Sequence, residues 1–219
     1  SEFSEMSQHV NLIPVYQEFL ADTETPVSAY LKLRDGSYSY LLESADGGMR
    51  WGRYSFIGCK PYLSVVSRDR DVEIWQEDAR KILKEAGNPL DILRELSAKF
   101  RPVTVKDLPP FQGGLVGYFN YDLVRKWEHL PGIAPVDHNL PEAVFTACRR
   151  LIIFDHFTHM VKVVAFAHLE SEKDLEQTYR RACREVTETM EQLHAPLPAS
   201  LKEEPLLLSD LRSNFPRED

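Results

Sequence analysis

Cysteine is scarce. The 219 residues hold three, Cys59, Cys148 and Cys183, an odd number spread far apart. They offer no disulfide framework, no CxxC pair and no His/Cys spacing suited to zinc. Reduced thiols are expected, and with them a cytoplasmic setting. No apolar run approaches the roughly 20 residues that a membrane-spanning helix requires, and no stretch reads as a secretory signal. Basic residues are outnumbered, 26 Lys and Arg against 34 Asp and Glu, for a net charge of −8. That balance argues against a nucleic-acid binder, which would carry a basic face. Internal repeats and low-complexity segments are missing too. A composition of 43% hydrophobic and 27% charged residues is that of an ordinary globular protein, and the length suits one large domain or two small ones.

Along the chain, Ser1-Glu2-Phe3-Ser4-Glu5 reads as a cloning scar ahead of Met6, so residues 1–11 are expected to be scar and disordered N-terminus. Leu12 to Leu20 is short and amphipathic, with Pro14 suited to a first helical turn. From Pro26 the period changes to two: Val27, Ala29, Leu31 and Leu33 alternate with Ser28, Tyr30, Lys32 and Arg34, which predicts a strand. Asp35-Gly36 marks a hairpin turn, with a return strand over Tyr38 to Glu43. Further strands are expected at about 53–59, 62–67 and 71–75. Asn88-Pro89 announces a helix over 89–99, Asn as N-cap and Pro at the first helical position. Residues 142–154 and 159–168 predict the longest strand pair, joined by a turn at Asp155-His156-Phe157-Thr158. A second helix spans 172–193, with Ser171 and Asp174 as a capping box and Leu175, Tyr179, Ala182, Val186, Met190 and Leu193 as its apolar stripe. The fold class expected is α+β, antiparallel sheets packed with helices on the outer faces. Pro196, Pro198 and Pro205 mark a linker, and Asn214 with Pro216 opens a helix at which the sequence stops, as a chain cut at a domain boundary would.

The stretch that carries chemistry is Leu41-Leu42-Glu43-Ser44, followed by Gly47-Gly48 and by Trp51-Gly52-Arg53-Tyr54-Ser55-Phe56-Ile57-Gly58. A turn folding this segment back brings Glu43, Ser44 and Arg53 near one another. An anion, a hydroxyl and a cation beside apolar surface suit a small zwitterion with an apolar side chain; the same residues also read as a strand end with a charged rim. Gly113, Gly114 and Gly117 in Phe111-Gln112-Gly113-Gly114-Leu115-Val116-Gly117-Tyr118-Phe119-Asn120-Tyr121 do not spell GxGxxG and no Lys-Ser/Thr follows, so close backbone packing or a bulge is expected there rather than a phosphate loop. His156 and His159 flank a turn and lack the further ligands a metal needs. No nucleophile, acid/base pair or metal cluster stands out.

Together, Glu24-Thr25-Pro26-Val27-Ser28-Ala29-Tyr30-Leu31-Lys32-Leu33, Leu41-Leu42-Glu43-Ser44, Trp51 to Gly58 and Gly113 to Asp122 resemble anthranilate synthase component I, from about residue 12 to the end. The resemblance implies a division into a regulatory N-terminal domain over 12–195 and, over 196–219, a linker and the start of a chorismate-binding catalytic domain. It implies a parent enzyme that converts chorismate to anthranilate and pyruvate, with ammonia from a glutamine amidotransferase subunit and Mg2+ held in the catalytic domain. Catalytic and metal residues would lie beyond Asp219, leaving this chain inactive alone. It also implies that Glu43 and Ser44 contact L-tryptophan as feedback inhibitor, with Arg53 as a further polar contact and Leu41 and Leu42 beside the indole. The homologous domain of aminodeoxychorismate synthase, where tryptophan would be structural, and a scaffold that binds nothing are the alternatives.

Overall fold

A computed structural model describes residues 10–35, 38–44, 52–69, 71–76, 79–83, 88–131, 140–169 and 175–198. Its strands are β1 (Leu12–Leu20), β2 (Tyr40–Leu42), β3 (Tyr54–Arg68), β4 (Asp71–Gln76), β5 (Ala79–Leu83), β6 (Val116–Phe119), β7 (Ala143–Asp155) and β8 (Met160–His168). Its helices are α1 (Pro26–Leu33), α2 (Pro89–Ala98) and α3 (Leu175–His194), with a 3₁₀ turn at Tyr121–Lys126. All eight strands join one sheet of order β1-β8-β7-β3-β4-β5, with β2 on β3 and β6 on β7. Every pairing is antiparallel, and the α+β class is the one expected.

The spine is the β3–β7 ribbon, paired from Tyr54↔Asp155 to Ser67↔Ala143. Each of its strands changes partner halfway. β3 carries β2 at its start and β4 at its end; β7 carries β6 at its start and β8 at its end. The two wings meet at a bulge, where the register shifts between Pro61 and Leu63 and Lys60 takes a positive φ of 55°. The strands expected at 53–59 and 62–67 are thus one strand with an extra residue inside it.

Each face of the sheet has its own cover. Ile57, Cys59, Ile152, Phe154, Val161, Val163 and Ala165 pack against Ala29 and Leu33 of α1 and Ala182, Val186 and Leu193 of α3. On the opposite face Leu151, Ile153, Val164 and Phe166 pack against Leu108 and Phe111 of the long connection after α2, while Leu63, Val65, Val72 and Ala147 receive Leu93 and Leu96 of α2. Burial of each Val, Leu, Ile or Phe among them contributes about 1.5–3 kcal/mol. The Asn88 carboxamide accepts from the Leu90 amide at 3.0 Å, so the predicted cap opens α2. The 142–154/159–168 ribbon is as expected, with the turn one residue later than predicted, at 156–159.

Three local expectations are corrected. Residues 26–33 are helix α1, not a strand. The Thr25 hydroxyl accepts from the Ser28 amide at 3.1 Å and the Ser28 hydroxyl from the Thr25 amide at 2.9 Å, with Pro26 at the first helical position. This capping box and the burial of Ala29 and Leu33, four apart, outweigh the alternation. β2 therefore pairs with β3 and not with residues 26–33. Residues 12–20 are strand β1, because the edge of β8 pairs with them throughout, from Leu12↔His168 to Leu20↔Met160; Pro14 is tolerated because β1 is an edge strand. Gly36, Gly47, Gly48, Trp51, Ser171, Asp174 and residues 199–219, with the expectations attached to them, lie outside the described residues.

Candidate functional site

The Leu41-Leu42-Glu43-Ser44 stretch is held by its register on β3: Tyr40↔Gly58, Leu41↔Ile57 and Leu42↔Phe56. Gly58 is needed there, since a Cβ at that position would stand 2.2 Å from the Tyr40 ring. That ring joins the Leu151/Phe166 face, whereas Leu41 joins the face of α1 and α3. The strand ends after Leu42 and delivers Glu43 and Ser44, both exposed, to the sheet end where β3 begins. Arg53 precedes β3 by one residue, so antiparallel pairing brings the three predicted residues to one end of the sheet.

Arg53 is already partnered. Its Nε donates to Asp155 Oδ1 at 3.1 Å and its Nη2 to Oδ2 at 2.7 Å, a two-pronged ion pair. The guanidinium lies over the rings of Tyr54, at 4.8 Å, and Phe157, at 5.6 Å. Asp155 Oδ1 also accepts from the amides of Phe157 and Thr158, at 3.0 and 3.4 Å, which shapes the turn. Burial pushes the Asp155 carboxyl up, but the Arg53 hydrogen bonds and those amides outweigh it and bring it down to about 2. Next to this pair, the buried Ser55 hydroxyl lies 2.7 Å from His156 Nε2, and the His156 amide donates to the Arg53 carbonyl at 2.9 Å.

A groove of about 420 Å³ opens on the same end, lined among others by Arg53, Tyr54, Lys106, Asp107, Asp155 and Lys162. Both signs of charge line it, beside an aromatic ring. Lys162 pairs with Glu18, and the Tyr16 hydroxyl donates to Asp107 at 3.3 Å. The arrangement suits binding of a polar or zwitterionic molecule. Away from this groove, burial pushes the Cys59 and Cys148 thiols up to about 12, so neither is a thiolate at neutral pH. Among the described residues no group of three or more His, Cys, Asp or Glu side chains is placed to hold a metal, so these residues do not fit a magnesium site. His156 is engaged with Ser55 instead.

Sequence reasoning did not find Asp155, Lys106 or Asp107 as site residues. Lys106 and Asp107 lie in a loop with no motif. Asp155 carried one signal: a carboxylate directly after the apolar run Leu151-Ile152-Ile153-Phe154, where a charge needs a partner.

Comparison with known proteins places the chain in a family. The chorismate binding enzyme family matches residues 37–214. Anthranilate synthase component 1 of Synechocystis sp. is 42% identical over 202 residues, which covers 90% of this chain and 39% of that protein. The protein of the same name from Aquifex aeolicus is 36% identical, covering 100% of this chain and 44% of its own length. The crystal structure of anthranilate synthase component I from Streptococcus pneumoniae shares the fold with a TM-score of 0.55 at 21% identity, over 84% of this chain and 38% of that one. The chain thus spans about two fifths of the length of these relatives.

Proposed function

The chain belongs to the family of chorismate binding enzymes, and we propose that it is the tryptophan-sensing N-terminal part of an anthranilate synthase component I. The longer protein would convert chorismate to anthranilate and pyruvate in tryptophan biosynthesis, in the cytoplasm, with ammonia delivered by a glutamine amidotransferase subunit. Mg2+ and the reacting residues would belong to a catalytic domain outside the described residues, which supply no metal site of their own.

The β2–β3 register supports the reading: Glu43 and Ser44 follow β2 at the end of the sheet where Arg53 precedes β3. L-Tryptophan is a zwitterion with a large apolar ring. Glu43 is the partner for its ammonium, and the Ser44 hydroxyl can both donate and accept. Leu42, exposed beside them, is apolar surface for the indole. Arg53 keeps its carboxylate partner Asp155, so its part is a donor edge left over from that pair and a fixed positive potential. The printed names of the relatives favour the anthranilate branch over the aminodeoxychorismate one.

The test is inhibition of the longer protein, assayed with its amidotransferase, by L-tryptophan. Inhibition of anthranilate formation at micromolar to millimolar inhibitor supports the reading. Binding without inhibition assigns the chain to the aminodeoxychorismate branch, and no binding leaves a scaffold. The 219-residue chain alone is expected to form no anthranilate from chorismate, with or without Mg2+ and ammonia; turnover above a protein-free control would refute this.

A further inference from the structure

β1 is the last strand on its side of the sheet, with β8 as its one strand partner among the described residues. Its outer edge is covered at one end. There the Leu12 carbonyl accepts from the Val103 amide at 3.1 Å, the Asn11 amide donates to the Arg101 carbonyl at 3.0 Å, and Leu12 bridges Pro102. Leu12, Ile13 and Pro14 are buried. From Val15 to Leu20 the outer edge has no backbone partner among the described residues. Strand parity then follows from Leu12: the backbone groups of Tyr16, Glu18 and Leu20 point away from β8. Pro14, which has no amide to offer, falls in the buried part, and the one charge of the open part, Glu18, is met by Lys162. Val15-Tyr16-Gln17-Glu18-Phe19-Leu20 is thus an open edge of the kind that pairs with another strand.

A groove of about 580 Å³ opens beside this edge, between Gln17 of β1 and Thr187, Met190, Glu191, His194 and Ala195 at the end of α3. That end is fixed in place. The His194 ring lies 5.4 Å from the Phe19 ring, and the Lys32 ammonium donates to the Leu193 carbonyl at 2.6 Å. Leu20, 57% exposed, stands at the end of the same edge. The chain leaves α3 here and continues to Glu203-Glu204-Pro205-Leu206-Leu207-Leu208-Ser209-Asp210. Three leucines between polar residues form a short apolar run of strand type, and a proline is tolerated where a strand begins. Residues 196–205 span up to roughly 33 Å when extended, against roughly 17 Å for the open part of β1, so the leucines reach any point along it.

We propose that Leu206-Leu207-Leu208 docks on the open edge of β1 as a further antiparallel strand, held by the outward backbone groups of Tyr16 and Glu18 and by leucine side chains that enter the groove beside Met190. The direction follows from the fold. α3 delivers the chain next to Phe19, so a segment that runs back along the edge toward Val15 opposes β1. Strand addition of this kind takes its affinity from main-chain hydrogen bonds and its register from side-chain pockets. It closes the edge and fixes the direction in which the chain leaves the sheet. The inference is independent of the tryptophan reading.

Amide hydrogen exchange of the 219-residue chain, read by NMR, tests the docking. The Tyr16 and Glu18 amides should be protected, and the Met190 methyl should show nuclear Overhauser contacts to a leucine methyl of residues 206–208. Leu206→Ser, Leu207→Ser and Leu208→Ser together should speed exchange at Tyr16 and Glu18 by at least about tenfold, while the Ile152 amide in the middle of the sheet keeps the parent's rate. If that variant fails to fold by circular dichroism, the parent's protection and Overhauser contacts decide alone. Unprotected Tyr16 and Glu18 amides in the parent, or protection that the variant retains, would overturn the proposal. Protection that rises with a concentration-dependent dimer in size-exclusion chromatography would overturn it too, by giving the edge to a second copy of the chain.

Discussion

The Arg53 guanidinium grips both carboxylate oxygens of Asp155, at 3.1 and 2.7 Å, across 102 residues of sequence. The pair joins the start of β3 to the end of β7 and sets the turn that leads into β8. Its effect on stability has a definite sign. The folded Asp155 carboxyl sits at about 2, below the roughly 3.9 of an unfolded chain. The stabilisation is complete above about pH 4 and is lost as pH falls toward 2. Because Arg53 is 43% exposed, solvent screening keeps the contribution small. Asp155→Asn should lower the urea midpoint at pH 7 measurably, and the parent and the variant should converge near pH 2. Equal midpoints at pH 7 would remove the pair from the stability of this sheet end.

In the longer protein, Ser44→Leu or Glu43→Ala should relieve tryptophan inhibition while uninhibited turnover stays close to the parent's. Loss of a charged partner in a partly desolvated site forfeits about 1.5–3 kcal/mol, which is roughly tenfold to a hundredfold in inhibitor affinity. Ser44→Leu adds bulk as well as deleting a hydroxyl, so its effect should be at least as large. Arg53→Ala should differ from both by lowering thermal stability together with inhibition, because it also strips Asp155 of its partner. Inhibition curves and melting temperatures of the three variants separate these roles; unchanged inhibition in Ser44→Leu and Glu43→Ala would take both residues out of the site.

Gly117→Ala should be the most damaging of the glycine substitutions in the Gln112–Asn120 segment. A Cβ there would stand 1.8 Å from the Val144 carbonyl oxygen and 2.7 Å from the Phe145 Cα, and backbone atoms cannot rotate away. The β6–β7 pairing must open, at a cost of about 3 kcal/mol or more. At Gly113 the nearest obstacle is the Phe166 ring, 2.6 Å away, and the positive φ adds about 1–2 kcal/mol. Denaturant midpoints should rank parent, Gly113→Ala, Gly117→Ala in falling order.

Thiol reactivity should divide three ways into one and two. Cys59 and Cys148 are buried, and burial raises both to about 12; Cys183, on α3, is partly exposed. Iodoacetamide at pH 8 should label Cys183 first, with Cys59 and Cys148 modified only at the rate at which the sheet opens. Peptide mass spectrometry over a time course reads this directly, and early label on Cys59 would contradict the packing of β3 under α1 and α3.

The sheet's long ribbon and two of its helices were legible because their signals are strong and local. Val161, Val163, Ala165 and Ala167 repeat at period two over a full strand, α3 carries five helical turns of stripe, and Asn88-Pro89 is a cap that needs no context. The stretch at 26–33 misled because eight residues are too few to separate the two periods. Ala29 and Leu33 lie on one face by either rule, and the deciding signal was the Thr25/Ser28 box, which lacks the usual acid at its third position. Near the candidate site, the sequence order alone put Glu43 and Ser44 after one strand and Arg53 before the next, and the β2–β3 pairing keeps that order.

What the sequence alone determined is therefore what neighbours in the chain can settle: the ribbon, the Asn88 cap and the α+β class. Tertiary structure decided the rest. Whether Leu12–Leu20 is helix or strand depended on the free edge of β8, a distant partner able to satisfy its backbone. Which carboxylate meets Arg53 depended on the β3–β7 register. Each of these is a choice made by chain segments far apart in sequence, where pairing and burial outweigh local propensity.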